Sequence, residues 1–247
     1  MKLLSVRSGF WDVPAVCSDR GDCPLLDFLA ELGGGDLAKD GRRMLKLLDR
    51  VSAQGPPRNT EISHQLDRGI WEFIQGRLRV LWFYDEGKLV VCSHGFVKKQ
   101  QKTPAAEIER AIEQRRRYLE AKKQDRLSIG ERVMRGKSFS DLYHEAEQSE
   151  DYWVAGLVLG LTESVTEIMA RDGISRSELA RRLGTSPAYV TKILRGNANF
   201  TLATMVRLAR AVGAEVKLEV VPSTAESTLP SARETSQKSL AAASKGR

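Results

Sequence analysis

Two groups of residues in this chain are of types, and at spacings, that chemistry can use. The first is cationic: Arg77, Arg79, Lys98, Lys99 and Lys102 lie on or beside segments rich in β-branched and aromatic residues. Cleaving RNA without a metal requires a group that takes the 2′-hydroxyl proton, cations that stabilise the phosphorane, and an acid for the leaving 5′-oxygen. Arginine suits the second task, and a lysine whose pKa is lowered inside a cationic cluster suits the others. Basic strand residues also make up ordinary solvated faces, so the cluster alone leaves both readings open. His94, in the same region, reads more readily as a packed, hydrogen-bonded histidine than as an acid or base.

The second group runs from Ile174 to Gly196. Ser175 and Glu178 are spaced as a capping box, Gly184 stops that helix, and Ser186 with Pro187 starts the next. Ala180 is small where two helices must cross, while Leu179, Leu183, Val190 and Ile193 supply a shared core. This is helix-turn-helix patterning, in which the second helix enters the DNA major groove and the first crosses the backbone. Between residues 171 and 210, eight basic residues face two acidic ones, so most of the net charge of +7 falls here. The DNA-contacting candidates are Arg176, Ser186, Ala188, Tyr189, Thr191, Lys192, Arg195 and Asn197, with Asn199 a further backbone contact.

These groups need elements to position them. At 247 residues the chain exceeds a domain of roughly 100–150 residues, which favours two modules. Leu3 to Val16 is expected to hold one opening strand, since Pro14 argues against a helix. Leu25 to Leu32 and Met44 to Val51 have helical apolar spacing, separated by Gly33-Gly34-Gly35, and are expected to form a helical hairpin. Ile70–Ile74, Arg77–Tyr84 and Leu89–Val97 alternate with period two and predict a three-stranded meander. Thr103 and Pro104 are expected as the cap and first position of a helix reaching about Lys123, its Ile108, Ile112 and Leu119 facing the sheet. Residues 121–150 read as a polar linker, Tyr152–Met169 as an apolar helix, the stretch to Gly213 as short helices, and 215–221 as a short strand. The tail from 222 lacks the large apolar residues that order a segment and is expected to be disordered.

Several classes of function are disfavoured. The first half has no paired carboxylates or serine–histidine–aspartate arrangement, and its glycine run lacks the strand and lysine of a nucleotide loop. Three cysteines, Cys17, Cys23 and Cys92, and three scattered histidines match no zinc spacing, so reduced thiols, no metal and no cofactor are expected. The longest apolar run, Val154 to Leu161, is far short of the roughly 20 residues of a membrane span, and the first residues lack a secretory signal. A cytoplasmic protein without a membrane partner is therefore expected.

The 152–221 stretch resembles the Xre family of DNA-binding repressors, and Gly196 to Gly213 resembles HigA-type antitoxins within it. That family often has glutamine at the position of Arg176, which bears on the bases read. Trp71-Glu72, Arg79-Val80-Leu81, His94 to Pro104 and Glu107 to Ala111 resemble the HigB branch of the RelE toxin superfamily, over about residues 4–120. The resemblance implies an α+β fold, a small antiparallel sheet with packed helices followed by an all-α helix-turn-helix domain. It also implies a ribosome-dependent mRNA endonuclease in which Arg79 meets the scissile phosphate, Lys98 and Lys99 bind mRNA or supply catalytic charge, and Lys102 binds RNA. Where that family carries an active-site arginine this chain has Ile74, so either Arg77 fills the vacated volume or the nuclease is attenuated. Toxin before antitoxin is the gene order of that family, which implies a fused toxin-antitoxin pair. The expected domains are a toxin-like 1–120, a linker 121–150, a helix-turn-helix 151–221 and a tail 222–247. The expected partners are operator DNA, mRNA on the ribosome and a second copy of the chain, with toxin-antitoxin contact in cis or in trans. The alternative is a non-enzymatic repressor carrying an inactive toxin fold.

Overall fold

The computed structural model describes residues 1–100, 102–130, 137–197 and 200–220. Asn199, residues 131–136 of the expected linker and the tail from 222 lie outside the described residues. The fold is α+β, and residues Met1–Glu215 form one compact unit. Seven strands make one sheet among the described residues: β1 (Lys2–Arg7), β2 (Val13–Cys17), β3 (Ser63–Asp67), β4 (Ile70–Gln75), β5 (Leu78–Asp85), β6 (Leu89–Val97) and β7 (Ser128–Gly130). Their order is β3-β4-β5-β6-β2-β1-β7. From β3 to β6 the sheet is an antiparallel meander; β2 joins β6 in parallel and pairs antiparallel with β1, whose other edge takes β7 in parallel.

The period-two pattern divides the meander into two faces. Phe73, Leu78, Val80 and Trp82 point into a core closed by α1 (Pro24–Glu31), α2 (Ala38–Gln54) and α4 (Phe139–Glu147). Ile70, Leu81, Phe83 and Val91 point the other way, under α3 (Ala105–Lys123), which contributes Ala111 and Tyr118. The expected opening strand is a hairpin of two, with Pro14 inside β2 opposite Ser5. An unexpected strand, β3, precedes the meander, joined by a tight turn in which Arg68 and Gly69 both take positive φ. The first two helices do not chiefly pack as a hairpin: α1 lies on β6 and β2, whereas α2 lies mainly along α5 (Glu150–Arg171).

Helix α5 is the main departure from the expected layout. Tyr152 and Leu159 belong to the sheet core, while Val165 and Met169 belong to a second core shared with α6 (Arg176–Leu183), α7 (Pro187–Leu194) and α8 (Leu202–Ala211). Gly156 faces Lys46 of α2 on this contact; a Cβ there would stand 2.7 Å from Lys46 Cε, so the lysine chain would shift. The Lys46 ammonium sits 4.4 Å from the centre of the Tyr152 ring. Asp151 pairs with Lys39 at 2.8 Å and with Arg42 at 3.1 Å on the same contact. By length and composition α5 would pass as a membrane span, but the positions just named bury it in the two cores.

The segment expected as a linker is partly folded. Ser138 caps α4 with a reciprocal capping box, and Phe139, Leu142, Tyr143 and Ala146 are buried in the sheet core. The sparse apolar residues of this stretch fall three and four apart, so they share one helical face. Residues 214–220 have no regular structure where alternation predicts a strand. Leu142→Ala is expected to cost about 2–5 kcal/mol in urea unfolding, as for a core leucine; a change within roughly 0.5 kcal/mol, the surface value, would return this segment to linker status.

Candidate functional site

Register on β3 to β6 builds a polar site on the α3 side of the sheet. His64, Glu72, Leu81 and His94 are successive cross-strand partners, so their side chains form one row. Glu72, 1 % exposed, is the centre of the cluster. Its carboxylate pairs with His64 Nε2 at 3.1 Å, accepts a 2.7 Å hydrogen bond from Thr103 Oγ1, and faces Arg79 Nε at 3.6 Å, an ion pair too long for a hydrogen bond. Thr103 therefore does not cap α3 as expected; Pro104 occupies the cap position and the hydroxyl turns to the sheet. Arg79 Nη1 also donates to the carbonyls of Leu78 and Gly76.

The electrostatics follow from this packing. The Glu72 hydrogen bond raises the His64 pKa, against burial, and the same contacts with His64, Thr103 and Arg79 hold the Glu72 carboxyl below its usual range despite burial. Burial lowers the Arg79 pKa, Glu72 opposing and Arg195 adding to it. Burial and the neighbouring Arg79 lower that of Lys98, which places a lysine of reduced basicity beside an arginine. The structure thus brings Arg79 and Lys98 into one electrostatic environment. Arg77, Lys99 and Lys102 are exposed, and Arg77 is fixed through its backbone, whose N–H donates to Asp40 and whose carbonyl accepts from Lys98. Ile74, directly opposite Arg79, is buried, so Arg77 does not fill its place.

His94 is fully buried. Its Nδ1 meets the Ser93 hydroxyl at 2.7 Å and its Nε2 meets Glu107 at 3.0 Å, while Ser93 donates to Gln114. Burial and nearby Arg110 push its pKa down to about 4, with Glu107 opposing. It is a neutral, packed histidine, as its place in a strand suggests. Sequence reasoning missed His64 and the second role of Thr103. The Asp67-Arg68-Gly69 turn is the signal that would have revealed β3 and placed His64 opposite Glu72.

The second site is the helix pair. Ser175 Oγ accepts from the Glu178 N–H to start α6, but the reciprocal half of the box is not formed, because Glu178 pairs instead with Arg181 and Arg182 at 2.7 Å. Gly184, in the left-handed region, ends α6, and Ser186 caps α7 on the Tyr189 N–H. Ser186, Ala188 and Lys192 are exposed on α7, whereas Tyr189, Thr191 and Asn197 are half-buried. Lys192, Arg207 and Arg210 take part in no ion pair among the described residues.

The two sites meet. Glu61, just before β3 and 8 % exposed in its side chain, receives Arg176 at 2.8 Å and Arg195 at 2.8 Å. Arg176 also donates to Thr60 Oγ1, and Asn59 Nδ2 donates to the carbonyl of Leu194 at the end of α7. The loop is held from α5, whose Glu163 carboxylate accepts from the backbone N–H groups of Arg58 and Asn59. Residues 37–116 match the family described as phage-derived protein Gp49-like (DUF891), and residues 167–217 match helix-turn-helix. The chain joins a Gp49-like domain to a helix-turn-helix domain. No curated protein matches the chain. The Gp49-like match runs from the end of the turn before α2 through most of α3, and so contains Glu61, Glu72, Arg79 and Lys98. The helix-turn-helix match contains Arg176 and Arg195.

The half-exposed His64 and the buried His94 should titrate on opposite sides of the ordinary value of 6.5. In NMR titration of the full chain, His64 is expected above it and His94 near 4, and Glu72→Gln should lower the His64 value while leaving His94 in place. His64 contributes stability below the ordinary histidine pKa and loses it as pH rises through its raised value; His94 costs stability as pH falls from 6.5 toward 4.

Proposed function

We propose that this chain is a type II toxin-antitoxin fusion, HigB-like in its first part and HigA-like in its last. In this reading the Gp49-like domain is a metal-independent, ribosome-dependent mRNA endonuclease, restrained by a DNA-binding domain that represses its own gene from the cytoplasm. The observation that carries it is the clasp on Glu61: both DNA-reading candidates Arg176 and Arg195 reach across to the Gp49-like domain, beside the Arg79–Lys98 cluster. A restraining domain must touch what it restrains, and the clasp supports a restraint in cis.

The roles follow from the chemistry of each group. Arg79 stabilises charge on the phosphorane, Lys98 with its lowered pKa is the group able to move a proton, and Lys99, Lys102 and Arg77 hold the RNA backbone from exposed positions. Glu72 orients Arg79 and takes no part in proton transfer, since its carboxylate is already engaged by His64 and Thr103. On the DNA side Ser186, Ala188, Tyr189, Thr191 and Lys192 read bases or phosphates from α7, and Arg176, Arg195 and Asn197 flank them. Leu202 and Val206, exposed one turn apart on α8, offer apolar surface to a second copy, and a two-fold dimer would fit half-sites about one helical turn apart.

A second reading is favoured by a specific observation. Arg79 is only 7 % exposed, its Nη1 already donates to two carbonyls while its Nε faces Glu72 at 3.6 Å, and Ile74 removes the arginine expected beside it. That arrangement suits a repressor whose toxin-like domain is catalytically silent. The test uses the whole chain, because α4 and α5 supply core residues that a 1–125 fragment would lack. Arg176→Glu with Arg195→Glu is expected to slow growth and to produce new mRNA 5′ ends in translated regions, with the parent chain doing little. Adding Arg79→Ala should restore growth. Unchanged growth and intact transcripts in the double variant would establish the repressor reading.

DNA binding is tested separately. The parent chain is expected to bind the duplex upstream of its gene with an affinity that falls steeply with salt, and Lys192→Ala should reduce that salt slope by about one. An affinity independent of salt would remove the DNA-binding assignment.

A further inference from the structure

The arginines that serve as DNA contacts in the reading above are the ones that grip the Gp49-like domain. Arg176 stands at the first position of α6 and Arg195 at the end of α7, so they bracket the helix pair at its two ends. Both converge on one carboxylate, Glu61, with Arg195 donating through Nε at 2.8 Å and Arg176 paired at 2.8 Å. An anionic oxygen pair held between two guanidinium groups offers them what a backbone phosphate offers. The surroundings make the contact specific to this orientation. Asn59 Nδ2 donates at 2.7 Å to the Leu194 carbonyl, one of the groups an α-helix leaves unpaired at its C-terminus, and its Oδ1 accepts from the Glu61 N–H. Gly196, with φ +73°, lets the chain after α7 come against Val158 of α5, where a Cβ would stand 3.1 Å from Val158 Cγ1. Both guanidinium side chains stay partly exposed, at 47 % and 45 %, as do Ser186 and Ala188 at the start of α7 and Lys192 in its last turn.

We propose that Glu61 is an internal stand-in for DNA phosphate, so that DNA binding and docking of the helix-turn-helix on the Gp49-like domain compete for Arg176 and Arg195. The inference rests on the DNA-binding reading of α6 and α7 and adds that the partner of the Glu61-facing surface is double-stranded DNA. In the docked state the helix pair meets DNA without two of its cations, and full engagement requires the clasp to open. DNA affinity is then reduced by the fraction of molecules that are open, and DNA, once bound, draws the domain away from the Arg79–Lys98 face.

The experiment compares the full chain, Glu61→Gln and Glu86→Gln by fluorescence anisotropy on a labelled duplex from upstream of the gene. Glu86 is 94 % exposed in its side chain and remote from both sites, so its variant controls for the loss of one negative charge. Glu61→Gln is expected to bind about tenfold more tightly than the parent, in line with losing charge-assisted contacts from the closed state, and Glu86→Gln within about twofold of it. A Glu61→Gln affinity equal to that of Glu86→Gln overturns the competition while leaving DNA binding intact. Absence of salt-dependent binding by all three overturns the DNA reading itself, and the inference with it. The parent chain gives an independent measure: hydrogen exchange across residues 56–63 should rise when the duplex is added, and unchanged exchange at saturating duplex overturns the proposal.

Discussion

The organisation of this protein depends on one helix belonging to two cores. A 22-residue helix extends about 33 Å, and α5 lays its first half against α2 and the sheet and its second half against α6, α7 and α8. Because a continuous helix fixes direction as well as distance, it leaves the helix-turn-helix little freedom of placement. The 56–61 loop is then tied to α5 by Glu163 and to α7 by Asn59, so the loop and the helix-turn-helix are positioned from the same scaffold. Gly156 faces Lys46 along the α2 contact, and the basic residues of α2 meet Asp151 and Tyr152 along it.

Glu72 has a comparable part in the sheet. A carboxylate withdrawn from water is costly unless its oxygens are met, and here His64, Thr103 and Arg79 meet them from three different segments. The chain has therefore built a cationic face whose central arginine is held by an internal anion. Glu61 repeats the device at the border between the domains. Each anion pairs with arginine, and each is almost wholly covered.

Much of this was legible in the residues. The meander, the first helices, α5 as a helix and the helix-turn-helix with its caps all follow from spacing, because in each the apolar period is regular and the ends carry glycine, proline or serine. The resemblance pointed to Arg79, Lys98 and Lys99; Arg79 is buried opposite Ile74, whereas Lys99 is exposed. What stayed hidden depended on contacts distant in sequence. His64 lies eight residues before Glu72 in a short, mostly polar strand, and Thr103 looked like a cap because nothing local reveals a partner across the sheet. The 139–147 helix was obscured by its polar majority, although Phe139, Leu142, Tyr143 and Ala146 already had helical spacing. The Glu61 clasp joins positions 115 and 134 residues apart, and single-sequence reasoning has no access to such a pair.

Two proteins made separately meet at a rate set by their concentrations, and growth of the cell dilutes both. The shared helix α5 removes that dependence. The two halves are synthesised in a ratio of one, and their local concentration is set by geometry and does not vary with copy number. Loss of one half would require a cut in the single chain that joins them, and α5 would still pack in both cores. The stoichiometry of the two halves is thus a property of each molecule and does not change with copy number.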